Sequence, residues 1–228
     1  MNTLEKQVEN CFNKISSVLP CEISADDFQL KEVLAWFGDI KGKKLLDAGC
    51  AKGRFTKALV ERGAFLTGID ITENFIKIAR ENVAEASFGL ASITDIPFQT
   101  NTFDGILCIQ VMEHIPDTEK AIREMARVLK RGGRLIIIDK NILSLHHRYL
   151  APTSLLKRIQ EIRGKWMYPE DFPFREKHFT LGKLDRILGK YCSVARSKYL
   201  QNGRSRRSRI IYNILPFLSY DIAWRGIK

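Results

Sequence analysis

The run Lys44-Leu-Leu-Asp-Ala-Gly-Cys-Ala-Lys-Gly-Arg54 constrains this chain more than any other stretch. A short apolar segment, Leu45 and Leu46, ends on the carboxylate of Asp47 and breaks into small residues at Ala48, Gly49, Ala51 and Gly53. Apolar residues then return at helical spacing, at Phe55, Ala58 and Leu59. The pattern predicts strand, tight turn, helix. Gly49 and Gly53 tolerate positive φ and let a ligand approach the backbone. A second strand, Phe65-Leu-Thr-Gly-Ile-Asp70, ends on a carboxylate placed to take both hydroxyls of a ribose. Two strands ending this way predict a nucleoside-cofactor pocket at the carboxyl edge of a parallel sheet.

Spacing narrows the cofactor. A dinucleotide fingerprint, Gly-x-Gly-x-x-Gly, seats a pyrophosphate on a helix N-terminus. From Gly49 the chain reads Gly-Cys-Ala-Lys-Gly, which lacks that spacing, and Asp47 stands before the turn. A carboxylate there repels a pyrophosphate and attracts an ammonium group. A ligand with a ribose and an amino-acid head fits, and S-adenosylmethionine is such a ligand. Here the chain resembles the class I S-adenosylmethionine-dependent methyltransferases. Asp47-Ala-Gly-Cys-Ala-Lys-Gly53 matches their Asp/Glu-x-Gly-x-Gly-x-Gly loop, with Ala51 in place of the middle glycine. Thr94-Asp-Ile-Pro-Phe98, Phe103-Asp-Gly-Ile-Leu107, Val111-Met-Glu-His-Ile115 and Arg127-Val-Leu-Lys-Arg-Gly-Gly-Arg-Leu135 follow in the family's order. The resemblance covers residues 40–140.

It implies a doubly wound, mostly parallel seven-stranded sheet, with S-adenosylmethionine as donor and S-adenosylhomocysteine as product. By position, Asp47 would orient the loop and the ligand's amino group. Gly49, Cys50, Ala51 and Gly53 would line the methionine moiety, Asp70 would bind the ribose, and Ile71 would lie against the adenine. The family's adenine-binding Asp falls on Ser92, a departure that leaves Ser92 and the backbone of Ile93 for the adenine edge. Gln110 and Val111 would face the methionine end.

Strands are expected over 44–48, 65–70, 87–92, 103–109 and 134–139, alternating with helices over 54–62, 73–85 and 117–130. Residues 3–19 carry Leu4, Val8, Cys11 and Phe12 at helical spacing, and Asp26 or Asp27 is positioned to cap a second helix that closes near Gly38. This gives one domain over 1–228: N-terminal helices to residue 40, a cofactor core over 41–140, an acceptor-side insertion over 141–180, and a last helix with an antiparallel strand pair over 181–228. A helix over 154–163 is expected to turn Leu155, Leu156, Ile159 and Ile162 inward.

Methyl transfer is an in-line displacement in which positioning supplies much of the rate, about 7–11 kcal/mol, so no fixed catalytic constellation is required. His114 and Glu113 stand at the cofactor edge. Glu176 and His178, in Phe174-Arg-Glu-Lys-His-Phe-Thr180, resemble a family stretch bordering the acceptor pocket. His114, His178 and Glu176 are therefore the candidate proton acceptors. The five cysteines, Cys11, Cys21, Cys50, Cys108 and Cys192, are scattered without a Cys-x-x-Cys pair. Neither a disulfide framework nor a metal site is expected. With no basic-then-apolar start, a cytoplasmic location is expected.

Charge divides the chain. Residues 1–140 hold 19 Lys and Arg against 20 Asp and Glu, whereas residues 141–228 hold 18 against 6. The run Arg204-Ser-Arg-Arg-Ser-Arg209 leads into Ile210-Ile-Tyr-Asn-Ile-Leu-Pro-Phe-Leu218. Such a half suits an anionic partner: a phosphorylated, sugar-type or lipid-linked acceptor, or an anionic membrane surface touched peripherally. RNA methylation and a non-catalytic cofactor-binding subunit are the alternatives, nucleic acid being disfavoured because no RNA-binding module is appended. Oligomeric state is left open.

Overall fold

In the computed structural model, the residues described are 3–14, 19–145, 176–200 and 206–228, together with Pro152, Thr153, Leu155, Leu156 and Ile159. Helices α1 (Thr3–Lys14) and α2 (Phe28–Phe37) precede β1 (Lys44–Ala48), α3 (Arg54–Val60), β2 (Phe65–Asp70), α4 (Glu73–Asn82), β3 (Ser87–Leu90) and β4 (Phe103–Ile109). A 3-10 turn, Met112–His114, leads to α5 (Thr118–Val128), β5 (Leu129–Lys140), α6 (Leu181–Leu188), β6 (Ser193–Leu200), α7 (Arg206–Ile214) and β7 (Asp221–Ile227). The strands form one seven-stranded sheet in the order β3-β2-β1-β4-β5-β7-β6, with β7 antiparallel to both neighbours. The order reverses at β1, where β2 lies on one side and β4 on the other. A crevice opens there, beyond the carboxyl ends of the strands.

Strand periodicity divides the core. Leu46, Ile106, Cys108, Leu135, Ile137, Ile222 and Trp224 point to the face covered by α5 and α6, through Ile122, Met125, Leu184 and Leu188. Their neighbours Leu45, Leu107, Ile109, Ile136, Ile138 and Ala223 point to the face covered by α2 and α3, through Leu30, Val33, Phe55 and Leu59. Successive residues reach opposite faces, so strands buried on both sides read as continuous apolar runs.

Local signals set several ends as expected. Asp27 accepts from the backbone N–H groups of Gln29 (2.8 Å) and Leu30 (3.0 Å), and Gly38 closes α2 at φ +71°. Asp117 accepts from Lys120 N–H at 2.9 Å. Other ends differ. Helix α5 stops at Val128 instead of 130, because Leu129 is already extended and pairs with Phe103. Residues 130–133, with Gly132 at φ +75°, bulge out before Arg134 rejoins the ladder opposite Gly105. Strand β3 ends at Leu90. Leu155 and Ile159 are exposed, not inward, so the expected apolar face over 154–163 is not a core face at those positions. The remainder of 146–175 and the start of the arginine run, including His146, His147, Trp166, Tyr168 and Arg204, lie outside the described residues.

Candidate active site

The crevice at the order reversal is a cavity of about 500 Å³. Its floor is the turn after β1. Gly49, Ala51 and Gly53 have φ of +84°, +45° and +80°, so the backbone folds back tightly, and a Cβ on Gly49 would stand 2.4 Å from a methyl of Val111. The N–H groups of Gly49 and Cys50 both bond Ile69 C=O, at 2.8 and 3.0 Å. Ala51 N–H donates to Asp70 Oδ2 at 3.0 Å, and Thr72 N–H donates to Asp70 Oδ1 at 2.9 Å. Asp70 is thereby held rigid at the end of β2. Each of its oxygens keeps a second acceptor site, which suits a vicinal diol. Burial raises its pKa.

Asp47 is buried beneath the turn, and its Oδ2 accepts from the hydroxyl of Thr56 at 2.7 Å. Burial pushes its pKa up to about 6, while the Thr56 hydroxyl and the Arg54 charge pull it down. A ligand ammonium would restore the ionised form. Burial, followed by the Asp47 and Asp70 charges, drives the Cys50 thiol well above its ordinary pKa. Cys50 is thus a small neutral packing residue and not a nucleophile.

Of the cofactor residues expected from sequence, Asp47, Gly49, Cys50, Ala51, Asp70, Ile71, Ile93, Gln110 and Val111 line the cavity. Gly53 and Ser92 do not. Gly53 begins α3 with its Cα turned toward the Phe88 ring, where a Cβ would stand at 3.3 Å. The Ser92 hydroxyl donates instead to Glu5 Oε1 of α1 at 2.7 Å. Among the proton-acceptor candidates, His114 and Glu176 line the cavity and His178 stands outside its wall.

The far end of the cavity is polar. His114 Nε2 lies 3.1 Å from Glu113 Oε1, and His114 Nδ1 lies 3.9 Å from Glu176 Oε1. Lys140, at the end of β5, donates a short hydrogen bond to the same Glu113 oxygen and stands 3.7 Å from Glu176 Oε2. Burial opposes the Lys140 charge, but the two carboxylates more than offset this and raise its pKa. The imidazole of His114 stands between the two carboxylates, placed so that both would face a proton it holds. Ligand atoms of Glu113, His114 and Glu176 lie within 4.8 Å of one another, a spacing a metal ion could use. Lys140 already supplies positive charge to both carboxylates.

Residues that sequence reasoning missed complete the walls. Val8, Phe12, Leu19 and Pro20 close the cavity from the N-terminal side, and Arg54 and Lys140 face it. Helical spacing marked an apolar face on α1 but not what it covers. Gln110, at φ +58°, donates through Nε2 to Asp221 Oδ1 at 2.7 Å, and Gln29 Nε2 donates to Asp221 Oδ2 at 3.0 Å. Asp221 is buried, with its pKa raised to about 7.

Comparisons with known proteins match the segment that carries this turn. Residues 46–137 match the methyltransferase domain model, and those residues span both strand-end carboxylates, the turn and His114. The matched segment is a methyltransferase domain and supports a class I S-adenosylmethionine-dependent methyltransferase. A ubiquinone biosynthesis O-methyltransferase of Xanthomonas oryzae is 34% identical over 108 residues, covering 45% of each chain. The methyltransferase GfsG of Streptomyces halstedii is 39% identical over 105 residues, covering 43% of this chain and 38% of that protein. The chain spans about half the length of the relatives it matches. Magnesium protoporphyrin IX methyltransferase from Synechocystis, solved with S-adenosylhomocysteine, superposes with a TM-score of 0.67 at 19% identity over 99% of both chains. A methyltransferase from Mesorhizobium loti gives 0.70 at 14% identity, over 89% of this chain and 99% of that one. These likenesses show the fold.

Proposed function

We propose that this protein transfers the methyl group of S-adenosylmethionine to a hydroxyl oxygen of a small or lipid-linked acceptor, with His114 receiving the acceptor's proton. The observation that carries this reading is one continuous cavity, with Asp47, the glycine turn and Asp70 at one end and His114, Glu113, Lys140 and Glu176 at the other. The residues present fit the cofactor: a rigid diol acceptor at Asp70, a turn whose Gly49 leaves no room for a Cβ, and a buried carboxylate at Asp47. When bound, the sulfonium supplies an electrophilic methyl group and leaves as a neutral thioether.

The chain's residues then have three tasks. Asp70 and the turn fix the nucleoside, so that the reacting end points along the cavity toward His114. Phe12, Val8, Leu19 and Pro20 exclude water from that path. His114 holds the hydroxyl proton as the new C–O bond forms, and Glu113 and Glu176 stabilise the resulting imidazolium. The relatives named as O-methyltransferases support oxygen as the acceptor atom. Two carboxylates against one lysine make the reacting end unsuited to a phosphate, so a phosphate on the acceptor belongs outside it. Methyl transfer to a panel of hydroxylated acceptors tests the reading. Absence of S-adenosylhomocysteine binding in calorimetry would overturn it.

A specific surface favours a peripheral membrane contact. Exposed Ile210, Ile214, Leu215 and Phe217 neighbour exposed Ile142 and Leu143. The two segments are tied by Asn141 Nδ2 donating to Phe217 C=O (2.7 Å), Leu145 N–H to Leu218 C=O (3.1 Å) and Tyr212 O–H to Leu145 C=O (2.8 Å). Apolar side chains beside a strongly basic segment suit an anionic lipid surface. No helix among the described residues is long and apolar enough to cross a membrane. Co-sedimentation with phosphatidylglycerol vesicles is expected and should be lost on charge reversal at Arg206, Arg207 and Arg209. A wild-type chain that stays in the supernatant would end this reading.

A further inference from the structure

We propose that Glu5, on the N-terminal helix, is the carboxylate that selects the adenine base of the cofactor. The inference rests on the cofactor reading above. Its geometry begins at Asp70, whose strand partner is Leu90 at the end of β3. Ala91 N–H bonds Asp70 C=O at 2.9 Å, so residues 91–93 run on beside Ile71. A nucleoside with its ribose on Asp70 and its amino-acid end toward Asp47 extends its base into the slot between Ile71 and residues 91–93. Val8, Ile71, Phe75, Ala91 and Ile93 line that slot. Their side chains hold a planar ring by contact, but none can tell an amino group from a keto group.

The polar group behind that slot comes from α1. Glu5 is 6% exposed, and its Oε1 accepts from Ser92 Oγ at 2.7 Å and Thr94 Oγ1 at 2.8 Å. Ser92 lies between the two wall residues Ala91 and Ile93. On α1, Glu5, Val8 and Phe12 share one face by their spacing of three and four, and Val8 and Phe12 line the cavity. Two hydroxyls therefore hold the Glu5 carboxylate against the segment that carries Ala91 and Ile93, directly behind the wall of the slot. A carboxylate accepts from an exocyclic amino group and repels a keto oxygen. The position on the β3 side that would ordinarily supply such a carboxylate holds Ser92, whose side chain is too short to carry one. The helix that closes the cavity brings the carboxylate instead, and base recognition becomes dependent on α1 being seated.

Calorimetry with S-adenosylhomocysteine and S-inosylhomocysteine tests this, because the second carries a keto oxygen and an N1–H where the first carries an amino group and an N1 acceptor. Wild-type protein should bind the adenine form roughly tenfold or more tightly. Glu5→Gln should weaken S-adenosylhomocysteine and narrow the ratio between the ligands toward one. A loosened helix alone would weaken both ligands equally and leave the ratio unchanged, which would overturn the proposal. Ser92→Asp in a Glu5→Ala background should restore the ratio by supplying the carboxylate from the loop, and failure to do so also counts against it. Wild-type protein that binds neither ligand would overturn the cofactor reading together with this inference.

Discussion

Phe12 of α1 stands edge-on to the imidazole of His114, with ring centroids 4.9 Å apart and planes at 85°. The same ring meets Phe75 at 6.1 Å. One aromatic side chain thus joins the helix that closes the cavity, the cavity wall at Phe75 and the polar end at His114. Phe12→Ala removes aromatic contacts worth about 0.5–1.5 kcal/mol each beyond the area they bury. S-adenosylhomocysteine affinity should fall about tenfold while the melting temperature barely changes, since α1 meets the rest of the fold through a small cluster with Val8 and Cys11 at its centre. Unchanged affinity would mean that α1 does not close over the ligand.

Asp70→Asn keeps the side chain's size but removes the charge that two backbone N–H groups and a diol would share. Charged hydrogen bonds are worth roughly 1.5–3 kcal/mol each. Calorimetry should therefore register at least a tenfold loss in S-adenosylhomocysteine affinity. Wild-type affinity in the variant would show that the ribose does not sit there.

Gly49→Ala faces a left-handed backbone at φ +84° and a methyl 2.4 Å from the new Cβ. Strain and clash together should cost about 2 kcal/mol or more. For a chain of this length that lowers the melting temperature by about 4–8 °C. Scanning fluorimetry with and without S-adenosylhomocysteine should also show the ligand-induced shift lost. A variant that melts and binds like wild type would exclude the tight turn as the floor of the site.

His114→Gln should lower kcat by about 10²–10⁴-fold on a hydroxyl acceptor if the imidazole takes its proton, and leave S-adenosylhomocysteine affinity nearly intact. The split between kcat and binding is the readout. Equal losses in both would assign His114 to cofactor binding instead.

Stability should fall as pH rises from about 4 to 7. Asp47 and Asp221 have folded pKa values of about 6 and about 7, above the ordinary 3.8. Between pH 4 and those values the native protein holds protons that the unfolded chain has released, so the slope of stability against pH is negative. The contribution is fully present below about pH 4 and is lost progressively until pH reaches 6 to 7, at about 1.4 kcal/mol for each pH unit by which the pKa is raised. The Lys140 pKa is raised above its ordinary 10.5 and stays out of this window. Asp221→Asn should flatten the upper part of the slope in thermal melts. A wild-type melting temperature that climbs steadily from about pH 4 to 7 would contradict the assignment.

The sequence by itself determined what a few neighbouring residues can encode. Short continuous apolar runs specified the parallel strands, Asp27 and Asp117 the helix starts, and Gly49 and Gly53 the turn, because each of these signals acts within a handful of positions. Strand-end carboxylates were legible for the same reason, and with them one end of the cavity. Only the tertiary structure decided what faces that end. Ser92 meets Glu5 across 87 residues, and Gln110 meets Asp221 across 111. Lys140 meets Glu113 across 27, through the crossover that joins β4 to β5. Such pairs leave no mark on local spacing, since they depend on which element packs over which. The turn after β1 was therefore readable from eleven residues, whereas the lid over it and the charged end beyond it became visible only when the sheet brought distant segments together.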